Sequence, residues 1–340
     1  MILKNKDITE LQKLINNAKN ITIATHINPD GDAIGSCCGL YHYLNLLSKN
    51  ITIIIPNNAP SNLNFLLKNV NHIVFEENVK QAKQTFINSD LIFVMDMNND
   101  NRSGDTMGKT ITEMNSNKVL IDHHVNPDKY NVSFSYPDVS STCEVVFYIL
   151  KKLSGEKIFN KDIATALYSG ISTDTGSFSY SCNHSEVYTA VASLLKTGIK
   201  VNKIHNEIFN TYSKNRLHLL GYAISKKLKI FEQQRAAYIY LDKKELDYYH
   251  YQPGDLEGVV NYCLKLDGID FCALLSERDN KIKMSFRSTD EKIDVNKFAN
   301  KYWNGGGHVM ASGGKGFESM NEVREKLEQQ IKNMDFISKD

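Results

Sequence analysis

The chain has 340 residues, 41% hydrophobic and 23% charged, with a formal net charge of +1. That is the composition of an ordinary globular protein, long enough to bury a sizeable core and to form two domains. The near-neutral balance excludes a global electrostatic argument for a polyanionic partner, so any anion must be held by a local site.

Six cysteines, Cys37, Cys38, Cys143, Cys182, Cys263 and Cys272, form no CxxC pair, which argues against a thiolate zinc site. They read as small buried residues in a reducing compartment. The N-terminal MILKNKDITELQKLI lacks the apolar core of a signal peptide. No apolar run approaches the ~20 residues that cross a bilayer, so the expected location is cytoplasmic with no membrane partner.

The chain opens on a helical pattern, with Leu11, Leu14, Ile15 and Ala18 at helical spacing. A short apolar strand, ITIAT (21–25), runs into the polar turn HINPDGD (26–32), and a helix follows over 33–49. ITIII (51–55), LIFVMD (91–96) and KVLID (118–122) read as further buried strands. Strands separated by helix-like stretches predict a mostly parallel sheet covered on both faces. Helices are expected at 142–153, at 161–173 running into STDTGSFSY (172–180), and at 184–198, which stops at Gly198. Amphipathic stretches at 202–210 and 213–227 follow. From about 228 the pattern changes. Strands at 227–232 and 235–241 and at 270–277 and 281–288 suggest two hairpins, and helices near 255–265, 294–302 and 319–333 complete a smaller α+β domain. The predicted organisation is a first domain over 1–186, a helical linker over 187–228 and a second domain over 229–340.

Reactive residues sit where such a sheet would gather them. His26, Asp96, Asp122 and His123 each follow or end an apolar strand, and the carboxyl ends of strands in an open α/β sheet line a ligand crevice. HINPDGD adds Asp30 and Asp32 in a turn that Pro29 and Gly31 favour. In an extended turn the two aspartates would point to opposite sides, each toward a different metal. Crowded carboxylates repel, and a bound cation removes the penalty. Asp174 lies in STDTG after a helix. The candidate ligands are therefore His26, Asp30, Asp32, Asp96, His123 and Asp174. Carboxylates with some imidazole and no thiolate suit Mn²⁺ or Mg²⁺ better than structural Zn²⁺. Six ligand residues exceed the needs of one ion and fit two ions sharing a carboxylate.

The segments HINPDGDAIGS, VMD, IDHH and GISTDTGSF resemble the DHH phosphoesterase family, and NGGGHVMASGG (304–314) resembles the glycine-rich signature of its associated C-terminal domain. Together they cover nearly the whole chain in the expected order, and the size and spacing resemble the nanoRNase and pAp phosphatase branch. The resemblance implies an α/β fold, with a mostly parallel N-terminal domain, a smaller α+β C-terminal domain and an active site in the cleft between them. It implies one cation on His26, Asp30 and Asp96 and another on Asp32, Asp96, His123 and Asp174, with Mn²⁺ expected and Mg²⁺ or Co²⁺ as substitutes. Asp122 would orient a neighbouring imidazole, and His124 would face the phosphate or leaving group as a donor. Arg102 matches an arginine of relatives, although the intervening MNNDN departs from their commonest wording.

In the second domain, Gly305, Gly306 and Gly307 would let the backbone approach a ligand and offer N–H donors, with His308, Ser312 and Arg287 as further substrate groups. The cluster Tyr238, Tyr240, Tyr248, Tyr249 and Tyr251 reads as packing rather than base stacking. Residues 229–340 hold 17 Lys+Arg and 19 Asp+Glu, without the basic groove that tracking a long strand requires. The expected partners are short RNA oligonucleotides or small nucleotides, not long duplex nucleic acid, and relatives suggest a homodimer. The expected reaction is hydrolysis of short oligoribonucleotides, pAp or linear dinucleotides such as pApA. The alternatives are cyclic di-AMP hydrolysis, polyphosphate or pyrophosphate hydrolysis, and a non-catalytic nucleotide sensor.

Overall fold

The computed structural model describes residues 3–278 and 280–333. The chain divides into two compact units between Thr211 and Tyr212.

The first unit is built on six parallel strands, β1 (Asn20–Ala24), β2 (Asn50–Ile55), β3 (His72–Val74), β4 (Leu91–Met95), β5 (Asn117–Asp122) and β6 (Val132–Ser135), in the order β3-β2-β1-β4-β5-β6. The strands are apolar throughout because each face meets helices. Ile21, Ile23, Leu91, Phe93, Met95, Val119 and Ile121 join one core with the helices Asn5–Asn17, Gly31–Leu46, Thr142–Ser154 and Lys161–Asp174. The alternating residues Ala24, Ile92, Val94 and Leu120 join another with Val79–Ile87 and Asp105–Thr112. That period of two is the strand pleat read as burial. β1 and β2 lie to one side of the position where the strand order turns back toward β4, and the residues that follow β1 and β4 face that switch point.

The second unit holds β7 (Leu228–Phe231), β8 (Ala236–Leu241), β9 (Phe271–Arg278), β10 (Lys281–Ser288), β11 (Gly306–Gly307) and β12 (Ala311–Gly316), in the order β11-β12-β10-β9-β8-β7. Among the described residues of this unit only β8 and β9 pair in parallel; β7–β8 and β9–β10 are the expected hairpins. The helices Val295–Tyr302 and Met320–Lys332 cover one face through Phe298, Trp303, Val323 and Leu327, and Lys214–Lys227 packs on the other through Leu219, Leu220 and Ala223.

Three details differ from the sequence reading. The helix after β1 starts at Gly31, two residues early, because the Asp30 carboxylate accepts the N–H groups of Asp32 and Ala33 (both 3.1 Å) and caps it. Asp30 and Asp32 therefore do not alternate along an extended turn: one caps the helix and the other rides its first turn. The stretch expected as a helix near 255–265 is a run of turns followed by a 3₁₀ segment, Val259–Lys265. The glycine-rich ASGGKG is the strand β12. All six cysteines are buried and free, and among the described residues no helix is long and apolar enough to cross a membrane.

Candidate metal centre

Five residues from three segments, His26, Asp30, Asp32, His123 and Asp174, gather with Asp96, which follows β4 with a left-handed backbone (φ 56°). A non-glycine residue pays to hold that conformation, and here it turns the carboxylate across the sheet edge. The two Asp96 oxygens serve different partners. Oδ2 lies 3.4 Å from His26 Nε2, and Oδ1 lies 3.6 Å from His123 Nε2. His26 Nε2 is also 4.0 Å from Asp30, and His123 Nε2 is 3.8 Å from Asp32 and 3.5 Å from Asp174. The other ring nitrogens are committed. His26 Nδ1–H donates to the Ile27 carbonyl (3.0 Å) and His123 Nδ1–H to the Val139 carbonyl (3.3 Å), which turns each Nε2 toward the carboxylates.

Two sets of donors, His26–Asp30–Asp96 and Asp32–Asp96–His123, are each compact enough to hold an ion, with Asp96 common to both. Asp174 joins the second set through His123. Beside them, Asp122 accepts from both the backbone N–H of His124 (3.0 Å) and its Nδ1–H (2.7 Å), fixing that ring's tautomer.

The electrostatics carry the mark of a centre built for cations. Burial, then Asp96 and Asp174, raise the Asp32 carboxyl well above the usual range. Burial works against ionisation of Asp96, but His26, His124 and His123 outweigh it and hold its carboxyl well below that range. Burial likewise opposes protonation of His123, yet Asp174, Asp96, Asp32 and Asp122 push it up to about 9. Protons here stand where cations would: carboxylates this close demand positive charge. Oxygen and imidazole donors with no thiolate among them fit hard or borderline divalent ions. His124 behaves differently. Burial lowers its pKa against the opposing pull of Asp122, so any donor role is strongest on the acid side of neutrality.

The sequence reading missed what holds these side chains. The N-terminus of the helix Thr142–Ser154 aims at Asp32, whose oxygens accept the N–H groups of Thr142 (2.6 Å) and Cys143 (2.9 Å). Thr142 Oγ1–H also donates to Asp96 Oδ1 (2.8 Å). The helices carrying Asp32 and Asp174 approach closely through glycine. A Cβ on Gly35 would meet the Ala166 carbonyl at 2.6 Å, and one on Gly170 would meet Asp32 Oδ1 at 2.9 Å. The spacing of Gly31, Gly35 and Gly39 was the available signal.

The substrate candidates fall on both units. Arg102 sits in the turn Asp100–Ser103, and its carbonyl accepts from Ile27 N–H (2.8 Å), tying the loops after β1 and β4. Arg287 lies on β10 and donates through Nη1 to the Phe286 carbonyl (2.9 Å). The glycine segment is tightly self-bonded. Gly305 N–H donates to Ala299, Gly307 N–H to Asn296 Oδ1 and His308 N–H to the Ala311 carbonyl. Ser312 is buried and donates its hydroxyl to the Val295 carbonyl (2.6 Å). What the glycines provide is close packing: a Cβ on Gly305 would lie 1.9 Å from the Gly313 carbonyl oxygen. Tyr238 is buried with its hydroxyl on Glu328, and Tyr240 stacks between Lys227 and Arg324, as packing requires.

Residues 20–171 match the DHH family, N-terminal domain, and residues 234–333 match the DHHA1 domain. The crystal structure of an exopolyphosphatase-related protein from Bacteroides fragilis is 34% identical, covers 98% of this chain and 97% of its own, and superposes with a TM-score of 0.92. The chain belongs to the DHH family. This DHH-family chain is also 28% identical over 310 residues to the bifunctional oligoribonuclease and PAP phosphatase NrnA of Bacillus subtilis, covering 90% of this chain and 92% of that one. A protein of the same description from Thermus thermophilus is 29% identical over 296 residues, covering 86% of this chain and 83% of that one.

Proposed function

We propose that this chain is a divalent-metal-dependent phosphoesterase that hydrolyses short oligoribonucleotides and pAp, and linear dinucleotides such as pApA. The observation that carries the reading is Asp96, whose two oxygens face two separate histidine–aspartate sets. His26, Asp30 and Asp96 would hold one ion, and Asp32, Asp96, His123 and Asp174 the other, with Mn²⁺ the expected metal. Bound there, the ions supply Lewis-acid charge to the phosphoryl oxygens and an activated water.

The chain's own groups do the rest. His26 and His123 keep their Nε2 atoms unprotonated toward the ions through their Nδ1 bonds. Thr142 and Cys143 hold the Asp32 carboxylate by its oxygens. Asp122 orients His124 toward the phosphate or leaving group, where it donates when protonated. Arg102 and Arg287 are guanidinium donors suited to bidentate phosphate contact. We assign catalysis, with the phosphate contact of Arg102, to residues 1–186 and the rest of the substrate grip to 229–340, where Gly305, Gly306, Gly307, His308 and Ser312 form the binding segment. The assignment of RNA and pAp is supported by the named activities of the B. subtilis and T. thermophilus relatives and by the lack of a basic surplus in 229–340.

A second reading, polyphosphate hydrolysis on the same metal centre, is favoured by the description of the B. fragilis relative. One panel separates them. With Mn²⁺, phosphate or nucleotide release is measured from short RNA, pAp, pApA, cyclic di-AMP, pyrophosphate and polyphosphate. Turnover of short RNA, pAp and pApA above the rest is expected. Preferential release from polyphosphate would replace the first reading with the second, and no metal-dependent turnover of any member would leave a sensor.

A further inference from the structure

One buried carboxylate of the first unit has no part in these roles. Glu144 lies in the first turn of the helix Thr142–Ser154 and is wholly buried (0% exposed). An unpartnered carboxylate there would be costly. Glu144 Oε2 accepts from both the N–H (3.1 Å) and the hydroxyl (2.6 Å) of Ser140, and His184 Nε2 lies 3.1 Å from the same oxygen and 3.3 Å from Oε1. Helix capping does not require this. Ser141 already caps the helix, its Oγ accepting from Glu144 N–H at 3.1 Å. The Glu144 carboxylate instead folds the chain before the cap back onto the helix.

The turn it fixes is the one that touches the metal ligands. Thr142 and Cys143, which hold Asp32 and Asp96, lie between Ser140 and Glu144. His184 stands immediately before the helix Ser185–Leu195, at the end of the segment that leaves Asp174. A second bond, from the Tyr148 hydroxyl to the Glu186 carbonyl (2.8 Å), joins the same two helices. The Glu144–His184 contact therefore links the turn that holds Asp32 and Asp96 to the segment that follows Asp174.

We propose that Glu144 and His184 are positioning residues of the metal centre, fixing the 140–144 turn so that Thr142 and Cys143 present their donors to Asp32 and Asp96. The inference rests on the metal-centre reading above. Groups that hydrogen-bond a metal ligand typically cost about 10–100-fold in metal affinity when removed, and Glu144 and His184 act one contact further out, toward the lower end of that range. His184 is the safer handle, because with Glu144 it lines a cavity of about 420 Å³ and its side chain is 29% exposed.

The test uses the full chain stripped of metal by chelation. Mn²⁺ is titrated calorimetrically, and the Tm of the stripped protein is recorded in parallel. His184→Ala and Glu144→Ala are expected to weaken Mn²⁺ binding about tenfold. Glu144→Gln, whose amide oxygen can still accept from Ser140, is expected to recover most of the affinity. A Glu144→Ala protein that loses Tm but binds Mn²⁺ like wild type would reduce the pair to a structural contact and overturn the proposal. Should Glu144→Ala not fold, a folded His184→Ala protein with wild-type affinity overturns it equally. A wild-type chain that binds no Mn²⁺ at all removes the metal-centre reading, and the inference goes with it.

Discussion

The two units share an architecture and differ in what they bury. Each has six strands with helices on both faces. The first buries four carboxylates, Asp32, Asp96, Asp122 and Glu144, together with His26 and His123. The buried polar residues described in the second are Arg216, Lys227, Ser276, Ser288 and Ser312, with no carboxylate among them. Strand direction accounts for the contrast. In an all-parallel sheet every strand delivers its next residue to the same edge, so distant segments accumulate charge there. Antiparallel neighbours deliver theirs to opposite edges, and the second unit concentrates glycine packing instead. The first unit thus trades stability for a charged centre, whereas the second should be indifferent to metal.

The largest test of that contrast is Asp96→Ala. It removes the one carboxylate common to both ligand sets and should lower kcat/KM by on the order of 10³-fold, whereas Gly306→Ala should change it only a few-fold. Steady-state kinetics on the preferred substrate decide this, and comparable losses would break the division of labour.

pH comes next. His123, raised from 6.5 to about 9, binds a proton in the metal-free fold that it must give up to a metal. A raised folded-state pKa adds stability that is complete below pH 6.5 and is lost as pH rises through about 9. The metal-free Tm should therefore fall across that window while Mn²⁺ affinity rises, by up to about tenfold per pH unit. Calorimetric titrations in buffers of different ionisation enthalpy would register the released proton. Flat affinity from pH 6.5 to 9 would contradict the crowded-charge account.

Third, Mn²⁺ at a hundred times its Kd should add about 2.7 kcal/mol to the first unit, roughly 5–11 °C in Tm. Chelation should reverse it. Scanning calorimetry should show the transition of the second unit unmoved, and a shift of both by the same amount would erase the difference between them.

The smallest effects belong to the glycines. Gly305→Ala drives a Cβ against the Gly313 carbonyl and should cost the second unit about 1–3 kcal/mol. Gly306→Ala meets only the side-chain ends of Asn296 and Asn300, both at 3.4 Å, and should cost less than about 0.5 kcal/mol. Urea unfolding compares them, and Gly306→Ala, in the proposed binding segment, should raise KM a few-fold without loss of stability.

Particular residues show how far the sequence could be read. Asp96, Asp122 and His123 were legible because each ends a run of apolar residues, and a charge in that place has few structural uses. β3 and β6 were not, since three or four residues at a sheet edge hold too little periodicity. β12 was hidden because ASGGKG is poor strand material by composition, its glycines serving close approach to Trp303 and Val323. The roles of Thr142, Cys143 and Glu144 had no local signal beyond a helix cap, and nothing near His184 in the sequence announces a partner forty positions away.

By itself the sequence determined the parallel first sheet and the edge where its reactive residues gather. A strand buried on both faces must be apolar to its end, and the first polar residue beyond it marks the rim. Tertiary structure alone decided that Asp96 divides its oxygens between two histidines, and that Asp32 is gripped by N–H groups 110 residues away. The grip on Asp32 depends on how closely helices can approach across Gly35 and Gly170, and the division of Asp96 on three strand ends meeting at one edge, both set by packing among segments and by no single stretch of chain.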